Sequence, residues 1–427
     1  MTDSIIIIGA GAAGLMAARE LVKAGNKVTI LEARDRIGGR IWPIPENKFG
    51  YPAQGGAEFV HGEARVTKSL LKDAGLTYIP MEGEMWSFRD GKIWKNDAGT
   101  ANDEPLTAYR DELDARLREL SEDMPVAEFL EKYFNEEKYE GLRTWVIRMA
   151  MNFDAADPNR ISTFSLRDEW LGGKEWLQGR IKEGYGALLD FLESECRKKG
   201  VEIFLNCETS LIEENPNGIT VTTKDDKKFE GSKVIVTVSV ALIPSLKFIP
   251  EIPQKMKAVS KIGFGPIIKF ITQFKSRWWL NALGKDLSKM TFMLTDGKVT
   301  AWWTQYPESH PVLTGWIPGR FALEFENSRD EDIIELGIKS LADTFKVEEK
   351  MIRDEIVASK VFNWPADPFA RGAYSYSAVG AEEAYLELRK PVNNKIYFAG
   401  EALASAKETA TVEGALLSGL EVSREIK

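Results

Sequence analysis

Residues 5–40 read IIIIGAGAAGLMAARELVKAGNKVTILEARDRIGGR, and this stretch decides the fold of the chain's first part. The four isoleucines predict a strand, the small residues after the glycines predict a helix to about Lys23, and residues 28–31 predict a second strand that ends on Glu32. In this arrangement Gly9 permits a tight turn, Gly11 lets the backbone approach a pyrophosphate, and Gly14 lets helix and strand pack closely. The motif therefore predicts a dinucleotide site in which Glu32 meets a ribose hydroxyl, and it leaves NAD and FAD both open.

The bulk composition limits the class of protein. A length of 427 residues predicts two domains, and the net charge of −9 argues against a nucleic-acid partner, which favours a basic face. The two cysteines and two histidines predict neither a disulfide framework nor a metal site. The sequence shows no signal peptide and no apolar stretch of about 18 residues. We therefore expect a reduced, cytoplasmic protein without a membrane partner.

Residues 32–40, EARDRIGGR, are either a charged surface loop or a segment that brings further cations to the pyrophosphate. The run resembles the signature of flavin-containing amine oxidases, the family of monoamine and polyamine oxidases. The resemblance implies that the cofactor is FAD and not NAD. It also implies cofactor contacts for a set of residues in this first part: Ala13, Ala33, Arg34, Gly39 and Arg40.

Residues 55–62, GGAEFVHG, contain a glycine pair that permits close approach of backbone to a flat ligand. The stretch is similar to the Gly-Ala-x-aromatic-aliphatic-His-Gly pattern of animal-type polyamine oxidases. The resemblance implies that Gly56, Ala57 and Glu58 lie at the cofactor and that His61 lies near the substrate. The alternative for His61 is a hydrogen-bonded structural histidine.

The composition from about residue 78 to residue 179 predicts a polar, helical insertion that carries part of the substrate cavity. Within it, Leu113, Leu117 and Leu120 recur at helical spacing and predict core packing, and residues 133–151 predict one helix. The tryptophans of this region are expected to pack and not to bind: Trp145, Trp170 and Trp176. Short strands are predicted at residues 202–205, 210–213, 219–223 and 234–238. The resemblance places this second stretch around the adenine end of FAD, with Thr209 as a cofactor residue.

Lys269 stands inside the apolar, strand-like run of residues 262–271. Burial of a lone ammonium is costly and lowers its pKa, so alternation alone favours an edge-strand lysine that points to solvent. The resemblance implies the opposite. Gly-x-x-x-Lys followed by residues 274–278, FKSRW, matches the segment in which amine oxidases carry a lysine that holds a water against flavin N5.

Residues 364–376, WPADPFARGAYSY, contain two aromatic residues that match family positions. The resemblance implies that Trp364 and Tyr374 lie beside the flavin ring. Animal monoamine oxidases carry a cysteine, bonded covalently to the flavin, just before that tyrosine, and this chain has Ala373. The prediction is noncovalent FAD.

The last segment begins with residues 396–401, IYFAGE, which predict a buried strand ending on Gly400 and Glu401. The resemblance implies that these two residues contact the ribityl chain. It also implies that Thr411 and Val412, at the start of the final helix, meet the pyrimidine edge of the flavin. Monoamine oxidases have an aromatic residue at the Thr411 position, so threonine there favours the polyamine oxidases or a bulkier amine.

Taken together, the resemblance implies an α/β fold. A Rossmann-like FAD-binding domain (GR2-type) would comprise residues 1–77, 180–258 and 386–427. An α+β substrate-binding domain of mixed sheet and helices would comprise residues 78–179 and 259–385.

The implied reaction is oxidation of an amine C–N bond to an imine, which hydrolyses to an aldehyde or ketone, while O2 is reduced to H2O2. The implied catalytic residues are Lys269, Tyr374, Trp364 and His61, the implied partners are a small amine and O2, and a homodimer is left open. Three alternatives stay open: an L-amino-acid oxidase, a same-fold desaturase or protoporphyrinogen-type oxidase, and a flavin-bound interaction protein. The first needs a cation for the substrate carboxylate, with Arg167, Arg180 and Arg371 as candidates.

Overall fold

The computed structural model describes residues 3–96, 109–172, 178–404 and 408–426. Five parallel strands from three separate stretches of the chain form one sheet, here called the parallel sheet. Its order is Ile396–Phe398, Lys233–Val236, Ser4–Ile8, Lys27–Leu31 and Glu202–Phe204. The isoleucine run lies in the centre, where a strand is covered on both faces and therefore reads as continuously apolar.

The two faces of the parallel sheet are covered differently. Ile5 and Ile7 pack under helices Ala12–Lys23, Gly184–Lys198 and Val412–Ile426. Ile6 and Ile8 pack against a four-stranded sheet, whose order is Lys228–Gly231, Gly218–Thr223, Thr209–Asn215 and Lys247–Ile249. The strands predicted around residues 202–238 are confirmed.

Gly14 fulfils the role predicted for the third glycine. A Cβ atom on Gly14 would lie 2.0 Å from the carbonyl oxygen of Gly9, so any larger residue would push the first helix away from its strand.

A second, mixed sheet of seven strands, here called the large sheet, faces the parallel sheet across a cavity described below. Its order is Ile356–Asn363, Ile267–Phe274, Val312–Pro318, Ala301–Trp303, Met290–Thr295, Glu84–Arg89 and Lys92–Lys95. Lys269 is on the second strand, paired with Trp316 on one side and Phe362 on the other. The edge-strand interpretation of Lys269 is therefore wrong.

The region from residue 78 differs from the helical prediction in its first part. Glu84–Arg89 and Lys92–Lys95 belong to the large sheet, and Glu84–Arg89 runs parallel to Met290–Thr295. Tyr78–Pro80 joins Val60–His61 and Gln178–Ile181 in a three-stranded sheet. The pairings of Glu84–Arg89 with Met290–Thr295 and of Tyr78–Pro80 with Gln178–Ile181 join residues far apart in sequence. The hairpin of Glu84–Arg89 with Lys92–Lys95 is local, and its Asp90-Gly91 turn is a signal that the sequence analysis missed.

The helical part of this region is Arg110–Glu119, Val126–Tyr133, Glu140–Asp154 and Thr163–Gly172, with a 3-10 turn at Glu137–Tyr139. The helix predicted over residues 133–151 is confirmed from Glu140 onward, but its predicted start is wrong, because the chain leaves helical geometry at Phe134 (φ −137°, ψ 37°). Arg143 donates to the carbonyls of Phe134 and Glu136 and so satisfies backbone acceptors at the break. Leu113 and Leu117 are fully buried, as predicted. Trp145 and Trp170 pack with ring centroids 5.2 Å apart, while Trp176 lies outside the described residues.

The remaining strands, Ile262–Gly265 and Tyr374–Ser377, form a two-stranded antiparallel pair. The other helices are Glu46–Phe49, Arg65–Ala74, Pro253–Val259, Arg320–Glu324, Asp330–Phe345, Glu349–Glu355 and Ala381–Arg389, with 3-10 turns at Val240–Ser245, Trp278–Gly284 and Glu401–Leu403. Within the described ranges, none of the helices is both long and apolar enough to cross a bilayer. The α/β architecture with a mixed second sheet is the predicted one, and the exact domain boundaries stay a prediction.

Candidate active site

A cavity of about 1970 Å³ extends from the carboxyl ends of the parallel strands to one face of the large sheet. Ligands of open α/β sheets bind at this end of the strands. Sites for a single small molecule occupy roughly 300–1,000 Å³, so this cavity has room for a large cofactor and a second ligand.

The N-terminus of helix Ala12–Lys23 lies at the cavity wall and is suited to bind an anion. Its first residues, Ala12 and Ala13, line the cavity, and among the described residues no side chain caps the helix and no acid lies in its first turn. A Cβ atom on Gly11 would meet no described atom within 4 Å, so a ligand can approach the backbone there. The unpaired N–H groups and the helix dipole favour a phosphate.

The Glu32 side chain is hydrogen-bonded to the same glycine turn. Its carboxylate accepts hydrogen bonds from the backbone N–H of Ala10 (2.7 Å) and Arg34 (2.9 Å). Burial raises the pKa of Glu32, and these two hydrogen bonds oppose the rise. Glu32 lines the cavity, as a residue that binds a ribose must.

Arg34 and Arg40 line this end of the cavity, and each is tied to an acid from the last third of the chain. Arg34 forms a bidentate ion pair with Asp367 (2.6 and 3.0 Å). Arg40 pairs with Glu401 (2.7 Å) and donates to the carbonyl of Ala373 (2.9 Å). The two arginines thus fix the loop of residues 32–40 to the segments that hold Trp364, Tyr374 and Glu401.

Lys269 and Glu58 form a buried ion pair at the other end of the cavity. The Lys269 ammonium donates to Glu58 (2.8 Å) and to the carbonyl of Gly56 (3.0 Å). Burial favours a neutral carboxyl, but the charges of Lys269 and Arg180 hold the pKa of Glu58 at about 2. Burial lowers the pKa of Lys269, and the charge of Glu58 opposes that shift.

Gly56 serves packing as well as ligand approach. A Cβ atom on Gly56 would lie 1.8 Å from the carbonyl oxygen of Arg40. The glycine therefore lets the EARDRIGGR loop and the Lys269 region meet.

His61, Trp364 and Tyr374 lie on the cavity wall. Desolvation lowers the pKa of His61 to about 4, so its ring is neutral at neutral pH. The Tyr374 hydroxyl donates to the carbonyl of Phe153 (2.7 Å), and burial raises the pKa of Tyr374, with Asp154 and Glu169 adding to the rise. Trp364 is buried, with its indole N–H directed at the carbonyl of Gly55 (3.3 Å).

Several cavity residues were missed by sequence reasoning. Phe59, Phe292, Trp303 and Trp316 form a continuous aromatic wall with ring-centroid distances from 5.6 to 6.1 Å. Trp302 points to the opposite side and packs on Phe270 in the core. Strand alternation separates neighbouring tryptophans in this way, but the sequence does not say which side faces the cavity.

Comparison with known proteins decides the family. Residues 12–427 match the profile of the flavin containing amine oxidoreductases. The chain belongs to this family. A rice (Oryza sativa subsp. japonica) protein named polyamine oxidase 4 is 28% identical to this amine oxidoreductase over 99% of the chain and 88% of its own length.

Solved structures share the fold. A putrescine oxidase structure, wild type bound to putrescine, superposes with a TM-score of 0.82 at 20% identity and covers 100% of this chain and 99% of its own. Cyclohexylamine oxidase from Brevibacterium oxydans IH-35A gives a TM-score of 0.80 at 19% identity and covers 100% of this chain and 99% of its own. The amine oxidoreductase therefore has the predicted fold class, and it is an FAD-dependent enzyme.

The residues of the amine oxidoreductase fit FAD. The uncapped helix N-terminus suits the diphosphate, and Glu32 is at the place expected for a ribose. Thr209 Oγ1, from a cavity-lining residue, is buried without a hydrogen-bond partner in the described part of the chain, which suits a polar ligand at the adenine end. Gly400, Glu401, Thr411 and Val412 also line the cavity, and Thr411 accepts a hydrogen bond from the N–H of Gly414.

The structure brings the sequence candidates together. The residues predicted to contact the cofactor or to act in catalysis all line the same cavity except Gly14, whose role is packing; the others are Gly9, Gly11, Ala13, Glu32, Ala33, Arg34, Gly39, Arg40, Gly56, Ala57, Glu58, His61, Thr209, Lys269, Trp364, Tyr374, Gly400, Glu401, Thr411 and Val412. Their individual roles toward FAD stay predictions.

The three arginines considered for a substrate carboxylate already have partners in the amine oxidoreductase. Arg180 contacts Glu58 and two carbonyls, Arg167 contacts Asp168, and Arg371 contacts Ser245.

Proposed function

We propose that this amine oxidoreductase acts on a di- or polyamine, with O2 as the electron acceptor. The observation that carries the proposal is the pair of acids, Asp154 and Glu169, beside Tyr374 on the cavity wall. A substrate with two nitrogens can leave one as an ammonium near these carboxylates and present the other, neutral, to the aromatic wall. The polyamine oxidase name of the rice relative supports the same class.

The aromatic wall favours the neutral form of the reacting nitrogen. Phe59, Phe292, Trp303 and Trp316 remove it from water, and desolvation disfavours an ammonium ion. The carboxylates of Asp154 and Glu169 favour the charged form of the distal nitrogen. The substrate is thereby oriented by charge at one end and by desolvation at the other.

FAD, when bound, supplies the redox chemistry by accepting two electrons and a proton from the carbon next to nitrogen. Trp364 and Tyr374 would lie beside the flavin ring, and His61 would stay neutral beside the substrate. Two of the three Lys269 N–H groups are taken by Glu58 and Gly56, and the third is left for a water. The helix N-terminus and Arg40 would hold the diphosphate.

A reduction screen tests the proposed substrate class. The purified flavoprotein is mixed anaerobically with mono-, di- and polyamines and amino acids, and bleaching of the oxidised flavin is recorded. Diamines or polyamines are expected to reduce the flavin fastest. Faster reduction by a monoamine or an amino acid would reject the class, and a flavin that no amine reduces would favour the interaction-protein alternative.

A double variant, Asp154→Asn with Glu169→Gln, tests the orienting charges. We expect KM for a diamine to rise about tenfold or more, which corresponds to about 1.4 kcal/mol. KM for a monoamine of equal length should change little, because it places no ammonium there. Equal effects on both substrates would contradict the proposal.

A cytoplasmic location is proposed from the two cysteines, which are buried and unpaired. The homodimer stays an expectation, and light scattering of the flavoprotein would decide it.

A further inference from the structure

We propose that Glu58 is the positioning residue of Lys269, and that Arg180 holds Glu58 in place, so that the three side chains act as one unit with Glu58 and Lys269 at the cavity wall. The inference rests on the proposed role of Lys269 as the residue that holds a water at the cofactor. It assigns the Glu58 carboxylate and the Arg180 guanidinium to the positioning of that lysine.

The Glu58 carboxylate accepts three hydrogen bonds and forms a further ion pair. Oε2 accepts from Lys269 (2.8 Å) and from the indole N–H of Trp303 (3.1 Å). Oε1 accepts from the amide of Gln305 (3.0 Å) and lies 3.1 Å from Nε of Arg180. The side chains of Lys269, Glu58 and Arg180 are 1%, 7% and 12% exposed, so water competes little for these contacts. A carboxylate held by three hydrogen bonds and an ion pair orients its partners.

Arg180 is itself anchored at two points. Its guanidinium donates to the carbonyls of Thr304 (2.8 Å) and Tyr306 (3.2 Å), the residues on either side of Gln305. Glu58 thus connects strand Gln178–Ile181, strand Ile267–Phe274 and the segment after strand Ala301–Trp303. The same carboxylate fixes the lysine and one ring of the aromatic wall, because Trp303 contacts both Glu58 and Phe59.

The charges favour a protonated Lys269 only while Glu58 is ionised. Glu58 is one anion between two cations, and Tyr51 faces the same Glu58 and Arg180. Burial lowers the pKa of Lys269, the charge of Glu58 opposes this, and the charge of Arg180 adds to it. Loss of the Glu58 charge would therefore let Lys269 lose its proton at lower pH.

The variant Glu58→Gln tests the unit, with Lys269→Met as reference. In the holoenzyme, the pH dependence of the bound flavin's visible absorption is measured together with the rate of flavin reoxidation. We expect the flavin absorption of the wild type to change with pH as Lys269 loses its proton. In Glu58→Gln this transition should move to lower pH by about one unit or more. It should be absent in Lys269→Met, and the double variant should behave as Lys269→Met alone does.

The conservative variant Glu58→Asp keeps the charge but shortens the side chain. It should retain a transition near the wild-type pH with a slower reoxidation rate. This variant keeps the inference testable if Glu58→Gln binds FAD poorly. Wild-type reoxidation in Glu58→Asp would show that positioning by Glu58 is not required.

A matched control is Glu387→Gln, which removes the carboxylate paired with the buried Lys255 (3.2 Å) outside the cavity. It should leave the flavin transition in place. A transition that survives in Lys269→Met would reject the role of Lys269. A transition lost in Lys269→Met but unmoved in Glu58→Gln would reject only the role of Glu58.

Discussion

At the scale of single residues, burial and neighbouring charges shift the pKa values of side chains that line the cavity. His61 has a pKa of about 4 because burial disfavours its charged form, while Glu58 has a pKa of about 2 because two cations outweigh its burial. At neutral pH His61 is therefore neutral and Glu58 is ionised. A neutral histidine on the cavity wall adds no positive charge that would repel an amine.

The lowered pKa of His61 makes the free energy of unfolding depend on pH. The folded pKa of about 4 lies below the ordinary 6.5, so the unfolded chain binds the proton first. The stabilising effect is complete above pH 6.5 and is lost as pH falls toward 4. Between pH 7 and 4.5 the wild type should lose about 1–3 kcal/mol more unfolding free energy than His61→Gln. Urea unfolding at both pH values measures this, and parallel losses in the two proteins would contradict it.

Ala373 predicts how the cofactor is held. Its side chain has no nucleophile, so acid or heat denaturation should release all of the FAD intact. The flavin is measured in the supernatant after the protein is precipitated. Flavin that stays with the precipitate after washing would show a covalent bond and contradict the prediction.

At the scale of elements, ion pairs hold the loops around the cavity. The buried Arg34–Asp367 pair joins the loop of residues 32–40 to the segment between Trp364 and Tyr374. The Arg34 guanidinium also lies over the rings of Trp42 (5.8 Å) and Phe369 (5.3 Å). The positions of Trp364 and Tyr374 thus depend on the loop of residues 32–40.

Asp367→Ala tests this link. Removal of one partner of a buried pair leaves an uncompensated charge, so the free energy of unfolding should fall by about 3 kcal/mol. FAD affinity, measured by titration of the apoprotein, should also weaken. The matched control is Asp332→Ala, which removes an exposed pair with Arg329 and should change neither quantity appreciably. Equal losses in both variants would contradict the role of the Arg34–Asp367 pair.

The sequence was most informative where contacts are local. The glycine turn, its helix and Glu32 are close in sequence, and their geometry followed from residue types alone. The alternation pattern around Lys269 wrongly predicted an edge strand. An inner strand differs from an edge strand in having a partner on both sides, here at Trp316 and Phe362, and the local sequence does not show these partners. The burial of Lys269 was implied by the family resemblance.

Other parts of the site carried no local signal. Asp154 and Glu169 look like ordinary helix-surface acids, and only the fold brings them beside Tyr374. The same holds for Arg180 and Gln305, which meet Glu58 from distant stretches of the chain.

At the scale of the whole molecule, one large cavity is lined by residues of both sheets and of the first, middle and last parts of the chain. A ligand that fills it contacts surfaces that would otherwise face water. FAD should therefore stabilise the whole protein and not one domain.

Removal of FAD tests this coupling. Ligand binding to the folded state stabilises it by about 4 kcal/mol when the free concentration is 1,000 times Kd. Calorimetry of the holoprotein should give one transition whose Tm rises with added FAD, and the apoprotein should unfold at lower temperature. A Tm that does not respond to FAD would contradict the prediction.

The order of strands in the parallel sheet also bears on synthesis. The first strand, Ser4–Ile8, lies beside Lys233–Val236, which in turn pairs with the outer strand Ile396–Phe398, synthesised about 390 residues after the first. The final helix, Val412–Ile426, then packs so closely on the first helix that a Cβ on Gly419 would lie 2.3 Å from the carbonyl oxygen of Ala13. The nucleotide cradle thus combines segments that lie about 400 residues apart in the chain, so we expect it to be complete, and FAD to be captured, only after residue 426 has been synthesised.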